Sequence, residues 1–197
     1  MTLATSTNPR KCSVCGQPFI PLMSMQSACG PKCALKKARK IRDENRAKAA
    51  QEKRRDRAKR EEMKTIPQLI REAQAAFNAY VRARDAGLPC ICCGRPLTTS
   101  AGAVGGNYDC GHYRSTGSAS HLRFNEDNAH AQRKDCNRFG AGRAVDYRIG
   151  LIARIGQARV EALESDNRVH KWTREELQAI RDEYRKKARE LKKAKQG

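Results

Sequence analysis

The chain has 197 residues, with 41 Lys and Arg against 21 Asp and Glu for a net charge of +20, and a mean hydropathy of −0.81. Leu, Ile, Val and Phe make up only about 15% of it, too little for a large apolar core, which excludes a membrane-spanning protein and argues against an ordinary small-molecule enzyme. The charge asks for a polyanionic partner, and nine cysteines offer another way to organise a fold, since a structural metal contributes roughly 10 kcal/mol or more.

From the N terminus, residues 1–11 hold no apolar run of the kind that directs secretion, and no stretch approaches the roughly 20 apolar residues of a membrane helix. The expectation is a cytosolic protein with reduced thiols, where cysteine pairs bind metal rather than form disulfides. Within residues 1–33, Cys12, Cys15, Cys29 and Cys33 make a Cys-x2-Cys, 13-residue gap, Cys-x3-Cys array, and Gly16 and Pro18 give the tight knuckle after the first pair. Such a turn lets neighbouring thiolates face one tetrahedral ion at about 2.3 Å, so the array reads as a structural zinc module.

Residues 34–64 change abruptly to Ala, Lys, Arg, Glu and Gln, with 14 basic and 6 acidic side chains and no Gly or Pro. Good helix formers without an apolar stripe make a solvated helix, and the positive excess favours a cationic rod lying along phosphates over a charged spacer. In residues 65–87, Leu69, Ile70, Ala73, Phe77 and Val81 recur at helical spacing behind Thr65-Ile66-Pro67, before Gly87 and Pro89 stop the helix. This amphipathic helix should pack on the domain C-terminal to it.

Residues 88–143 carry five of the nine cysteines and three of the four histidines. Cys90 and Cys93 have the zinc spacing, and Cys92 between them reads as a bystander. Tyr108 to Tyr113 and Leu122 to Asn137 come next; a His on a short strand, an Asn further on and a metal-type ligand at a helix start are the parts of a ββα-metal nuclease site. Residues 144–197 return to helix. Val145, Ile149 and Ile152 mark one that breaks near Gly156, and Val160 with Leu163 a short one. Thr173 and Glu176 make a capping box, with Trp172 and Leu177 as its hydrophobic staple. Leu177, Ile180, Tyr184 and Leu191 then line one face, and the tail over residues 181–195 has eight basic and three acidic side chains. No GxxxxGK[ST] loop supports ATP-driven work.

On the four-cysteine module, the basic helix, the knuckle at Cys90, Asp109-x-Gly111-His112-Tyr113, Leu122-Arg123-Phe124, Asn128-x-His130-x-Gln132, Cys136-Asn137 and the stretch Tyr147 to Leu163, the chain resembles the NinG/Rap recombination nucleases of lambdoid phages, a branch of the HNH (His-Me finger) superfamily. The resemblance implies an α+β protein with a small ββα-metal nuclease core and zinc knuckles, flanked by long basic α-helices. It further implies metal-dependent, structure-selective cleavage of branched recombination intermediates, Holliday junctions and D-loops, in the cytoplasm of the bacterial host. Carried over by position, His112 is the general base, Asn128 orients its ring, and Asn137, with Asp109, supplies oxygen ligands to a catalytic Mg2+ or Mn2+. His130 is a metal ligand, a phosphate contact or a structural residue; His121 and His170 read as ordinary polar positions. Arg114, Arg123, Arg138 and Arg143 flank the site as DNA contacts.

Where the family continues Gln-Cys-x-x-Cys-Asn, this chain has Gln132-Arg133-Lys134-Asp135-Cys136-Asn137, and Cys110 stands where the family usually has Ala. The second zinc site therefore joins Cys110 to Cys90, Cys93 and Cys136 or keeps three cysteines, for one or two structural Zn2+ in all. A noncatalytic zinc-containing DNA-binding protein that recruits to or protects branched DNA explains charge and cysteines equally well; only His112, Asn128 and Asn137 separate the two readings. The partners expected are branched or duplex DNA, other recombination proteins and no membrane. A second copy of the chain would give the two sites that symmetric junction cutting needs, although residues 34–64 show no heptad seam.

Overall fold

The computed structural model describes residues 8–97, 108–139 and 142–194, so the readings of residues 1–7 and of the end of the basic tail lie outside it. The chain divides into two compact units, Met1–Met63 and Lys64–Gly197. It is a mixed, mostly helical α+β structure with two small antiparallel sheets. No described helix is long and apolar enough to cross a membrane.

In the first unit, β1 (Arg10–Lys11) and β2 (Pro18–Phe19) pair antiparallel around the first cysteine knuckle. Gly16 turns the chain there at φ +74, donating its N–H to the Cys12 carbonyl at 2.9 Å; a side chain would strain that backbone. Helix α1 (Pro31–Glu62) begins inside the cysteine array, with proline in its first turn, so Cys33 sits on the helix itself. Its 32 residues reach about 48 Å at 1.5 Å per residue, and none of them is buried, as the missing apolar stripe requires.

The second unit is built on α2 (Ile66–Arg84), where the Gln68 side chain accepts from the Thr65 N–H at 2.8 Å to cap the first turn. It buries Leu69, Ala73, Ala76, Phe77 and Val81, in one cluster with Leu177 and Tyr184 of α5 (Arg174–Ala194). Phe77 stands edge-on to Tyr184 at 4.8 Å and to Phe124 at 5.9 Å. The last helix is thus half core: Arg181 is buried with its guanidinium 3.0 Å from Glu72, and the tail from residue 181 is not a detachable cationic arm.

Between these helices, β3 (Tyr108–His112) pairs antiparallel with β4 (Ala129–Arg133), placing His112 opposite Ala129 and Cys110 opposite Ala131. A π-helical turn, Asp135–Phe139, leads from β4 towards α3 (Ala144–Ile155), and Gly156 at φ +88 separates α3 from α4 (Gln157–Ser165). The buried side of α3 is Tyr147 and Leu151, whereas Val145 and Ile149 of the expected face are 75% and 64% exposed. Gly150 explains the rotation. It lies on the Tyr147 and Leu151 side, and a Cβ there would come 1.7 Å from the Ile91 carbonyl oxygen, so α3 is seated against the backbone of the second knuckle.

Asp85, at the end of α2 and 1% exposed, ties these pieces together. Its carboxylate accepts from Arg84 Nε at 2.6 Å and from the Ala131 N–H at 2.8 Å, with His130 Nδ1 at 3.6 Å and Arg154 of α3 at 3.8 Å. Burial alone would raise its pKa, but His130 beside it, the Arg84 guanidinium and the Ala131 N–H hold it well below the usual carboxylate range. Removing one partner of such a buried cluster leaves the others uncompensated, so Asp85→Ala should cost about 3–5 kcal/mol in denaturant unfolding. Because the folded value is the depressed one, the stabilisation should be complete above the ordinary carboxyl value of 3.8 and be lost as pH falls below it.

Candidate functional site

Two groups of four thiols could each hold a metal ion, Cys12, Cys15, Cys29 and Cys33 in the first unit and Cys90, Cys92, Cys93 and Cys136 in the second. A zinc ion with four sulfurs at about 2.3 Å requires sulfur–sulfur edges of about 3.8 Å. Cys15 to Cys29 measures 3.7 Å, Cys29 to Cys33 3.6 Å and Cys90 to Cys92 3.6 Å, so the donor sets fit that ion. The second group corrects the sequence reading. Cys92 takes the place left at Arg133, and Cys110 lies apart, 8% exposed in the α2–α5 core, where burial pushes its thiol up to about 12.

Every sulfur of the second group has a donor nearby. The Arg133 N–H reaches Cys90 at 3.3 Å, Gln132 Nε2 reaches Cys92 at 3.4 Å, and Arg95 Nε reaches Cys93 at 3.4 Å, with Arg143 Nη1 4.0 Å from Cys136. Burial works against the Cys93 thiolate, yet the Arg95 bond brings its pKa down to about 7. With zinc bound, these donors would offset part of the double negative charge of a tetrathiolate. Arg143, expected on DNA, is therefore within reach of the cysteine group and also pairs with Asp146 at 3.4 Å.

Beside this group, His112 and Asn137 line one cleft of about 430 Å³, walled by Cys110, Tyr113, Thr116 and Tyr147. The fully buried Tyr147 hydroxyl donates to the Gly111 carbonyl at 2.9 Å and accepts from the His130 N–H at 3.1 Å, pinning the strand just before His112. His112 Nε2 lies 3.0 Å from the Arg123 carbonyl. A carbonyl only accepts, so in the neutral ring Nε2 carries the hydrogen and Nδ1 is the basic nitrogen. Burial lowers the imidazole pKa from its ordinary 6.5, partly offset by the Arg123 carbonyl, which keeps the ring neutral at neutral pH.

Other expected site residues sit elsewhere. The Asn128 side chain does not reach His112; it accepts from the Arg114 N–H at 2.8 Å and donates to the Arg114 and Leu122 carbonyls at 3.0 and 3.2 Å, so it clamps the loop that delivers the Arg123 carbonyl. Strand alternation puts Asp109 on the face opposite His112, where it accepts from Arg138 at 2.8 Å instead of entering the cleft. His130 is structural: Nε2 faces the Asp127 carbonyl at 3.2 Å, and Nδ1 faces Arg84 at 3.1 Å. Arg114 is spent on the carbonyls that end α4, and Arg123 bonds Gln74 and the Thr116 carbonyl. His121 meets Asp166, and His170 meets Glu176.

Sequence reasoning missed Cys92, Gln132, Arg95 and Tyr147. Three cysteines in four residues, set against one missing thiol at Arg133, were the available signal for Cys92; the others become visible only through packing.

Residues 4–195 match the family model described as Bacteriophage Lambda NinG protein. Relatives include Protein ninG of Escherichia phage lambda and that of Salmonella phage P22, each 40% identical over 190 residues and 90% of both chains. Protein ninG of Escherichia phage 933W is 39% identical over 195 residues, covering 93% of this chain and 94% of its own. No solved structure matches the chain.

The rewired thiol set makes a direct test. Elemental analysis should find about two zincs per chain in the unaltered protein and in Cys110→Ser, and about one in Cys92→Ser. A Cys92→Ser protein that kept both, or a Cys110→Ser protein that lost one, would return the fourth ligand to another group.

Proposed function

The chain belongs to the NinG family of bacteriophage proteins, and from that premise we propose that it is a metal-dependent, structure-selective DNA endonuclease acting on branched recombination intermediates in the host cytoplasm. The observation that carries the reading is the cleft in which a tautomer-fixed, pKa-lowered His112 stands with Asn137. Among the described residues, the Asn137 side chain makes no hydrogen bond, and no lining residue of the cleft is a carboxylate. A phosphodiester can therefore enter without electrostatic opposition.

His112 Nδ1 takes a proton from the attacking water, while its Nε2–H to the Arg123 carbonyl spreads the positive charge that the ring acquires. The Asn137 amide oxygen suits a hard cation, which would need the substrate's own phosphate oxygens to complete its shell. Bound there, Mg2+ or Mn2+ would stabilise charge on the phosphate and the departing 3′ oxygen, leaving 5′-phosphate and 3′-hydroxyl ends. Substrate affinity resides largely in α1, whose basic side chains are exposed along its length.

His112→Ala should lower cleavage of a labelled junction by about 10²–10⁴-fold with binding nearly unchanged, and Asn137→Ala should raise the Mg2+ concentration required. Since the base must be neutral, activity should rise with pH with its midpoint below 6.5, the value of an exposed histidine; a midpoint at or above 6.5 would remove His112 as the base. Undiminished cutting by His112→Ala removes the mechanism; binding without cutting under any divalent cation leaves a noncatalytic branched-DNA protein.

Affinity should fall linearly in log–log form with salt, by about 0.9 for each duplex phosphate neutralised. Changing Arg46, Lys53, Arg57 and Arg60 together to Gln should flatten that slope, measured by fluorescence anisotropy, while leaving both zincs in place.

A further inference from the structure

Among its described residues, the first unit carries an apolar surface open to solvent. Leu22, Met23 and Met25 are 73%, 69% and 93% exposed, and Ile20 just before them is 65% exposed. They stand on a stiff loop rather than a loose one. Pro21 is buried, the Leu22 N–H donates to Gln26 Oε1 at 2.7 Å, Gln26 Nε2 donates to the Ala28 carbonyl at 3.0 Å, and Arg10 holds the Ser24 carbonyl. Across a groove of about 560 Å³ lie Ala34, Lys37, Ala38 and Ile41 of α1. Holding so many large apolar side chains in water on a rigid lip marks a contact surface.

Charge says what kind of partner fits. Residues 1–42 contain eight Lys and Arg and not one Asp or Glu. Even against the two negative charges of a zinc tetrathiolate, the surroundings of the lip are strongly positive. A second copy would bring this positive surface against itself. A linear duplex offers phosphates but keeps its base faces stacked, so it leaves the apolar lip unsatisfied. Phosphates and free apolar faces occur together where bases are unstacked, and Leu, Ile, Met and Pro are side chains that proteins insert at such steps.

We propose that Leu22, Met23 and Met25 form a wedge that packs on unstacked bases at a DNA branch point, with the adjoining basic residues holding the flanking phosphates. The wedge rests on the reading of the chain as a binder of branched DNA, and not on cleavage. It gives structure selectivity a physical source that charge alone lacks, since counterion release is indifferent to branching.

The test uses the full-length, zinc-loaded protein without added Mg2+, so that binding is read apart from cutting. A fork with 2-aminopurine at its branch is compared with a linear duplex carrying the same base internally. The unaltered protein should brighten 2-aminopurine at the branch and not within the duplex. Leu22→Ser/Met23→Ser/Met25→Ser should keep its zincs, its duplex affinity and its salt slope, lose the branch signal, and lose about tenfold in fork preference, the order of one or two base contacts. Should the triple variant lose zinc, Met25→Ser alone, at a fully solvated position, should still weaken the branch signal.

An unchanged fork preference and branch signal would overturn the wedge, as would an equal loss on fork and duplex with zinc retained. A fall from dimer to monomer in the variant by sedimentation would make the lip a self-interface instead. Failure of the unaltered protein to bind any DNA overturns both readings, whereas a branch signal without cleavage under any divalent cation leaves the wedge standing and removes the nuclease.

Discussion

The buried carboxylate of Asp85 is the constraint on which the second unit turns. A charge that is 1% exposed is tolerated only if its partners are held in place, and those partners come from α2, β4 and α3. The bond to the Ala131 N–H fixes the height of β4 against the end of α2, and the approach of Arg154 fixes α3 on the same point. His130 completes the arrangement. Burial lowers its pKa against the opposing pull of Asp85, and both ring nitrogens are committed, one to the Asp127 carbonyl and one to Arg84, which makes the ring part of the framework.

From that anchored strand two chemistries diverge. Towards one end of β4, Gln132 and the Arg133 N–H reach the sulfurs of Cys92 and Cys90. The same strand pairs with β3, which carries His112, and the Tyr147 hydroxyl binds both strands at Gly111 and His130. A Cβ on Gly111 would lie 2.1 Å from Gln132 Oε1, so a side chain there would displace the amide that reaches Cys92. A metal in the cysteine group would thus stiffen the strand on which the histidine's position depends, without touching the cleft. In a chain so poor in aliphatic residues, such cross-links supply the rigidity that a larger core provides elsewhere.

Asn128 illustrates how a residue can serve a site at one remove. Its three side-chain bonds go to the backbone at Arg114 and Leu122, so the loop between β3 and β4 is clamped at both ends. That clamp sets the Arg123 carbonyl, and the carbonyl sets the tautomer of His112. The arginines in the loop are drawn into the same framework, Arg114 on α4 and Arg123 between Gln74 and Thr116.

The sequence by itself determined the helices, because their signals are local: the Thr65 and Thr173 caps, the period of Leu69 to Val81, and the uniformly polar run of α1. It also determined the first thiol group, since Cys12 to Cys33 lie within one short stretch. Tertiary structure alone decided the second group. Cys92 and Cys110 are equivalent as residue types, and only the docking of the knuckle against β4 and Gly150 puts one sulfur beside Cys90 and the other in an apolar core. It likewise decided which side of α3 is buried and made half of the basic C-terminal helix a core element. Each of these depends on contacts between residues far apart in the chain, where composition and spacing carry no information about direction.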